Sequence, residues 1–166
     1  MDKLEWDKNI FGANLEITRA GEPVGSIRWQ NLFSSKARAE FRGKTFYISR
    51  DILASRLEIF DSKDNALLGR LSVNPFNPRS DIVVNGKRFE LDIKNFWQSR
   101  WTWKFNGAEI VTFTSNEFIT RDKGEIGLFS ACNEEVEILI LLGLVIRNQF
   151  ILIILLLLLI AVLIIL

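Results

Sequence analysis

Residues 134–166 read EEVEILILLGLVIRNQF followed by ILIILLLLLIAVLIIL. Asn133 can cap a helix here, with Glu134 and Glu135 in a first turn where negative charge suits the helix dipole. From Val136 to Ile146 only Glu137 is polar, and a helix apolar on every side has to be buried on every side. That piece is too short to cross a bilayer, so it predicts a core helix over 134–149. Arg147-Asn148-Gln149 then interrupts the run, and 150–166 is apolar throughout. At ~1.5 Å per residue this second piece rises about 25 Å, the short end of a transmembrane helix. It predicts a membrane anchor; a second core helix or an oligomer interface are the other readings of the same residues. Arg147, Asn148 and Gln149 are the expected boundary between barrel mouth and membrane face.

Upstream, the chain is a succession of short runs rich in Phe, Trp, Ile, Val and Thr, separated by turn signals. In KRFELDI (87–93), Phe89, Leu91 and Ile93 share one face and Arg88, Glu90 and Asp92 the other. In RWTWKF (100–105), Trp101, Trp103 and Phe105 alternate with Arg100, Thr102 and Lys104. A period of two marks strands with one buried and one wet face. Ala20-Gly21, Arg42-Gly43, Asp64-Asn65, Asn85-Gly86, Asn106-Gly107 and Lys123-Gly124 read as hairpin turns, since Gly and Asn accept positive φ. They recur about every 21 residues, so six consecutive hairpins, about twelve strands, are expected. Segments 31–35, 74–80 (with Pro75 and Pro78) and 95–99 read as loops.

A sheet of that size with one apolar face needs a cover, and an all-round apolar helix needs an apolar sleeve. Closing the strands into an antiparallel barrel around 134–149 meets both needs and removes exposed edges. The expected organisation is therefore a mainly β barrel domain over 1–149 and a hydrophobic tail over 150–166.

Composition narrows the function. With 21 basic and 20 acidic residues, the net charge of +1 carries no case for nucleic acid. There is no histidine, which excludes Ser-His-Asp triads, Cys-His pairs and His-ligated metals. Cys132 is the only cysteine and reads as a small packed residue. No glycine-rich phosphate loop or metal-spaced cluster is present, so no cofactor, no metal and no enzymatic activity are expected. The first residues, MDKLEWDKNIFGANLEITRAG, lack the apolar core of a signal peptide.

The hairpin series ending near Ala131, followed by the acidic-then-apolar helix Glu134–Ile146, resembles the tubby C-terminal-like superfamily, which includes tubby proteins, phospholipid scramblases and LURP-one-related proteins. The likeness covers nearly the whole chain and is nearest to the LURP-one-related group. It implies a twelve-stranded barrel wrapped around a hydrophobic C-terminal helix. It also implies contact of basic surface residues with anionic headgroups, for which Arg42, Lys44, Lys87, Arg88, Arg121 and Lys123 are the candidates. Glu134, Glu135 and Glu137 lack the spacing of the scramblase calcium segment, and the run 150–166 extends beyond where LURP-one-like chains stop. Trp101 and Trp103 are expected in the core rather than in a membrane-interface belt or a stacking platform for bases, and Trp97, in a loop segment, is open between these readings. The expected function is a membrane-tethered binding or scaffold module, its barrel in the cytoplasm and its partner membrane lipid through 150–166. Phosphoinositide binding or scramblase-like lipid handling is the alternative, and an unrecognised enzyme the third.

Overall fold

The computed structural model describes residues 2–51, 56–72, 79–95, 99–117 and 120–165. Among the described residues, twelve strands precede one long helix: β1 (Asp2–Asn9), β2 (Asn14–Arg19), β3 (Glu22–Trp29), β4 (Lys36–Phe41), β5 (Lys44–Asp51), β6 (Arg56–Asp61), β7 (Leu67–Ser72), β8 (Arg79–Val84), β9 (Lys87–Ile93), β10 (Arg100–Phe105), β11 (Ala108–Glu117), β12 (Arg121–Leu128) and α1 (Glu134–Ile165).

All twelve strands form one antiparallel sheet in the order 7-6-5-4-3-2-1-12-11-10-9-8. Consecutive strands are hydrogen-bonded neighbours except β7 and β8, and β1 also pairs with β12 along their full lengths, Asp2 opposite Leu128 and Asn9 opposite Arg121. The sheet rolls into a nearly closed barrel whose seam lies between β7 and β8. The two strands face each other closely there: a Cβ on Gly69 would come within 2.8 Å of Ile82 Cδ1. The sequence expectation of a twelve-stranded barrel around a helix is met.

Five of the expected hairpin turns are present; their glycines and asparagines take the expected positive φ, and Ala20 and Arg42 adopt it as well. Of Ala20, Arg42, Asn65, Asn85 and Asn106, four are followed by such a glycine. Lys123-Gly124 is not a turn: both residues lie within β12. A Cβ on Gly124 would stand 2.2 Å from Thr114 O and 2.4 Å from the Trp6 ring, so glycine is required by close packing across strands rather than by a turn. The loop expected at 31–35 lies between β3 and β4, whereas Pro75, Pro78 and Trp97, and most of the loops expected around them, fall outside the described residues.

The inner face of the barrel is apolar. Trp6, Trp101 and Phe113 form its aromatic centre, with Trp101 stacked on Phe113 at 4.9 Å and Trp6 edge-on to Trp101 at 5.6 Å. Trp101 and Trp103 are fully buried, as expected. Thr102, expected on the wet face, is buried too, and its hydroxyl donates to Val111 O at 2.9 Å.

The helix α1 fills the sleeve. Asn133 caps it: its side-chain oxygen accepts from Val136 N at 3.0 Å and its carbonyl accepts from Glu137 N at 2.9 Å. Trp103 Nε1 donates to Leu139 O at 2.8 Å, tying the strand wall to the helix backbone. Gly143 lies against the Phe113 ring, where a Cβ would meet Cζ at 2.3 Å. The helix is unbroken for 32 residues, about 48 Å at ~1.5 Å per residue.

The two ends of the barrel differ. The tight turns and the start of α1 share one end, because Lys44 and Lys87 beside those turns reach Glu134 and Glu135. The other end is where α1 leaves, beside the β1–β2 and β3–β4 connections.

Candidate functional site

The features that bear on function gather where α1 leaves the barrel. Strand alternation places them there. On β1, Leu4, Trp6 and Lys8 all point inward. On β5, Phe46, Ile48 and Arg50 do the same, and on β12 so do Asp122, Gly124, Ile126 and Leu128. Lys8, Arg50 and Asp122 are each the inward residue nearest the exit end of their strand. Together with Arg147, Asn148 and Gln149 of α1 they form a buried polar layer beneath the apolar core.

Arg147 anchors this layer. Its Nε donates to Asp122 Oδ1 at 3.3 Å and its Nη2 to Ser115 Oγ at 3.3 Å. Its guanidinium also lies over the Trp101 ring, 5.6 Å from the centroid. Gln149 Nε2 donates to Asp51 O at 3.3 Å. Burial pushes the Asp122 carboxyl up, with Arg147 pulling against it. The polar triplet expected at the membrane boundary therefore sits inside the barrel. Arg147 and the Gln149 amide nitrogen find partners on strands, Asn148 Oδ1 and Gln149 Oε1 are buried without a hydrogen-bond partner, and burial of α1 continues through Phe150, Ile151 and Leu152. The change of surroundings comes at Ile153–Leu155, which are half-buried, and from Leu156 onward the helix is exposed.

The other two inward cations serve the connections at this end. Lys8 Nζ donates to Asn9 O at 3.0 Å and Ile10 O at 3.2 Å. Arg50 donates to Ser34 O through Nε and to Leu32 O through Nη2, both at 2.9 Å, while its guanidinium covers Trp29 at 5.7 Å. A groove of about 520 Å³ runs between Phe33 and the emerging helix, lined by Ser35, Arg50, Leu152, Ile153 and Leu156 among others.

The six basic residues named from sequence do not come together as one patch, and each meets an acidic partner. Arg42 donates to Cys132 O at 2.9 Å and lies 3.9 Å from Glu137; Lys44 lies 3.3 Å from Glu134 and 3.2 Å from Glu137. Lys87 lies 2.9 Å from Glu135, completing a charged collar around the start of α1. Arg88 pairs with Asp81, Arg121 with Asp7 at 2.8 Å and Lys123 with Glu117 at 2.8 Å. Burial pushes the Cys132 thiol up, away from the thiolate. Among the described residues no group of three or more His, Cys, Asp or Glu side chains is arranged to hold a metal ion.

Lys8, Arg50 and Asp122 were not singled out in the sequence. The signal for Lys8 and Arg50 is parity: each stands two residues after an apolar inward position, Trp6 and Ile48, and so continues the buried face.

Among the described residues, α1 is the one helix long and apolar enough to cross a membrane. No protein-family model, curated protein or solved structure matches the chain.

Proposed function

We propose that this protein is a non-enzymatic, membrane-tethered binding or scaffold module, whose barrel is held at a bilayer from the cytoplasmic side by the C-terminal end of α1. One observation carries the proposal: Leu156 to Ile165 project from the barrel as a bare apolar helix, from 41% exposed at Leu156 to 85% at Ile165. A soluble monomer does not tolerate such a surface in water. No polar linker separates this segment from the core helix, so one continuous element serves as barrel core and as anchor. The twelve-stranded sleeve around a C-terminal helix is also the arrangement on which the tubby-like resemblance rests, and kinship with that superfamily belongs to the proposal. Headgroup recognition by the six basic residues gains no separate support, because each meets an acidic partner.

The test is flotation of the full chain with vesicles of neutral or anionic lipid. A plain tether binds both equally and loses both when the tail is removed. A strong preference for anionic vesicles, abolished by Arg/Lys→Ala changes at the six positions, would instead favour lipid recognition.

A further inference from the structure

The exit end of the barrel displays two phenylalanines in the same way. Phe11, in the β1–β2 connection, is 72% exposed, and Phe33, in the β3–β4 connection, is 63% exposed. Both close an Asn-x-Phe turn: Phe11 N donates to Asn9 Oδ1 and Phe33 N to Asn31 Oδ1, each at 3.0 Å. Both turns are fastened from inside by a buried cation. Lys8 holds the carbonyls of Asn9 and Ile10 just before Phe11, and Arg50 holds those of Leu32 and Ser34 on either side of Phe33. These are therefore fixed projections of large apolar side chains into solvent, built by parallel means on two different hairpins.

The opposite end is unlike this. Its turns, Ala20-Gly21, Arg42-Gly43, Asp64-Asn65, Asn85-Gly86 and Asn106-Gly107, carry no large apolar residue at their tips; the exposed Leu67 and Val83 lie in strands beside them and Phe129 lies beyond the end of β12. In the sequence, the pattern of Asn followed two residues later by an aromatic also occurs at 74–76, 95–97, 116–118 and, within α1, 148–150; Phe76, Trp97 and Phe118 fall outside the described residues.

The helix says what covers the two phenylalanines. Burial in the barrel ends at Leu152, exposed apolar surface begins at Leu156, and Phe33 lines the same groove as Leu152, Ile153 and Leu156. If the exposed segment lies in hydrocarbon, the barrel mouth has to lie at the hydrocarbon edge, because nothing polar intervenes. The headgroup layer is only about 5–8 Å deep, so the rim around the mouth is inside it. Phe side chains at that depth bury apolar surface at the boundary of headgroups and acyl chains, as the apolar faces of interfacial segments do.

We propose that the rim where α1 leaves the barrel is a bilayer-contacting surface, with Phe11 and Phe33 inserted among lipid headgroups. The proposal rests on the anchor function above and adds an orientation: mouth toward the membrane, charged collar away from it.

The full chain carrying Cys132→Ser and one of Phe11→Cys, Phe33→Cys, Lys63→Cys or Leu163→Cys is labelled with an environment-sensitive fluorophore and reconstituted in phosphatidylcholine vesicles. The expected result is blue-shifted emission at 11 and 33, with quenching by headgroup-level nitroxide lipid several-fold stronger than at 63, which stays water-like. Position 163 is quenched by nitroxide deep in the acyl chain. If 11 and 33 behave like 63 while 163 is quenched, the rim proposal falls and the anchor stands. A blue shift at 11 and 33 without nitroxide quenching means protein covers them, which also overturns the proposal. If 163 is not quenched, the anchor itself falls and the rim proposal with it.

Discussion

Arg147 on the helix donates to Asp122 on the last strand at 3.3 Å, with both side chains sealed inside the barrel, 2% and 1% exposed. An ion pair that deep stabilises less than its Coulomb attraction implies, because both charges have lost water. Removing one partner is another matter. Arg147→Met strands Asp122 in the interior and is expected to cost about 3–5 kcal/mol. Pairing it with Asp122→Leu should restore most of that loss. Denaturant unfolding in mild detergent measures both. A single-variant loss below about 1 kcal/mol would mean the pair is hydrated.

Lys8 gives the fold a pH dependence. Burial pushes its ammonium down to about 8, with Asp122 drawing it up and Arg50 pushing it further down. The unfolded chain holds that proton up to 10.5, so the unfolded state binds more protons between the two values. Stability should therefore rise with pH from about 8 toward 10.5. Below that window the cost of the buried charge is fully present. In Lys8→Met the rise should be smaller, which unfolding midpoints measured across this range would show.

Gly143 marks the closest approach of helix and wall. Gly143→Ala drives a methyl to 2.3 Å from Phe113 Cζ, on a ring already packed by Trp101 stacked at 4.9 Å and by Trp6 at 6.3 Å. Alanine is the better helix former by about 1 kcal/mol, but overpacking should outweigh this and leave a net loss of about 1–3 kcal/mol. Gly143→Ala combined with Phe113→Leu should recover part of it. Thermal unfolding of the three variants checks the order.

The length of helix that belongs to the barrel is testable by truncation. A chain ending at Leu155 keeps every buried residue of α1 and should be soluble and folded without detergent. Ending at Gln149 removes the buried side chains of Phe150, Ile151 and Leu152, at about 1.5–3 kcal/mol each, and should fold markedly less stably. Ending at Asn133 removes the core helix and should give aggregate. Circular dichroism and gel filtration separate the three.

Much of this fold was legible because two periodicities demanded each other. Strands alternating as in KRFELDI need a cover, the all-apolar Val136–Ile146 needs a sleeve, and Ala20-Gly21, Arg42-Gly43, Asn85-Gly86 and Asn106-Gly107 punctuate the strands by local backbone chemistry. The errors came where long-range contacts decide. Lys123-Gly124 has the composition of a turn, yet its glycine answers to Trp6, a residue over a hundred positions away. Arg147-Asn148-Gln149 looked like a solvent boundary because its partners, Ser115 and Asp122, lie on strands that no local pattern pairs with it. The basic candidates look free in sequence for the same reason; Lys44 and Glu134 meet across 90 residues.

One helix is the core of the barrel and, in the proposed function, also the anchor of the protein. Alkaline carbonate extraction of vesicles carrying the full chain, beside the chain ending at Leu155, tests it most directly. The full chain is expected to stay with the membrane and the shorter chain to be released as folded protein. Release of the full chain as a soluble oligomer would contradict it, and would make Leu156–Ile165 an interface between copies instead.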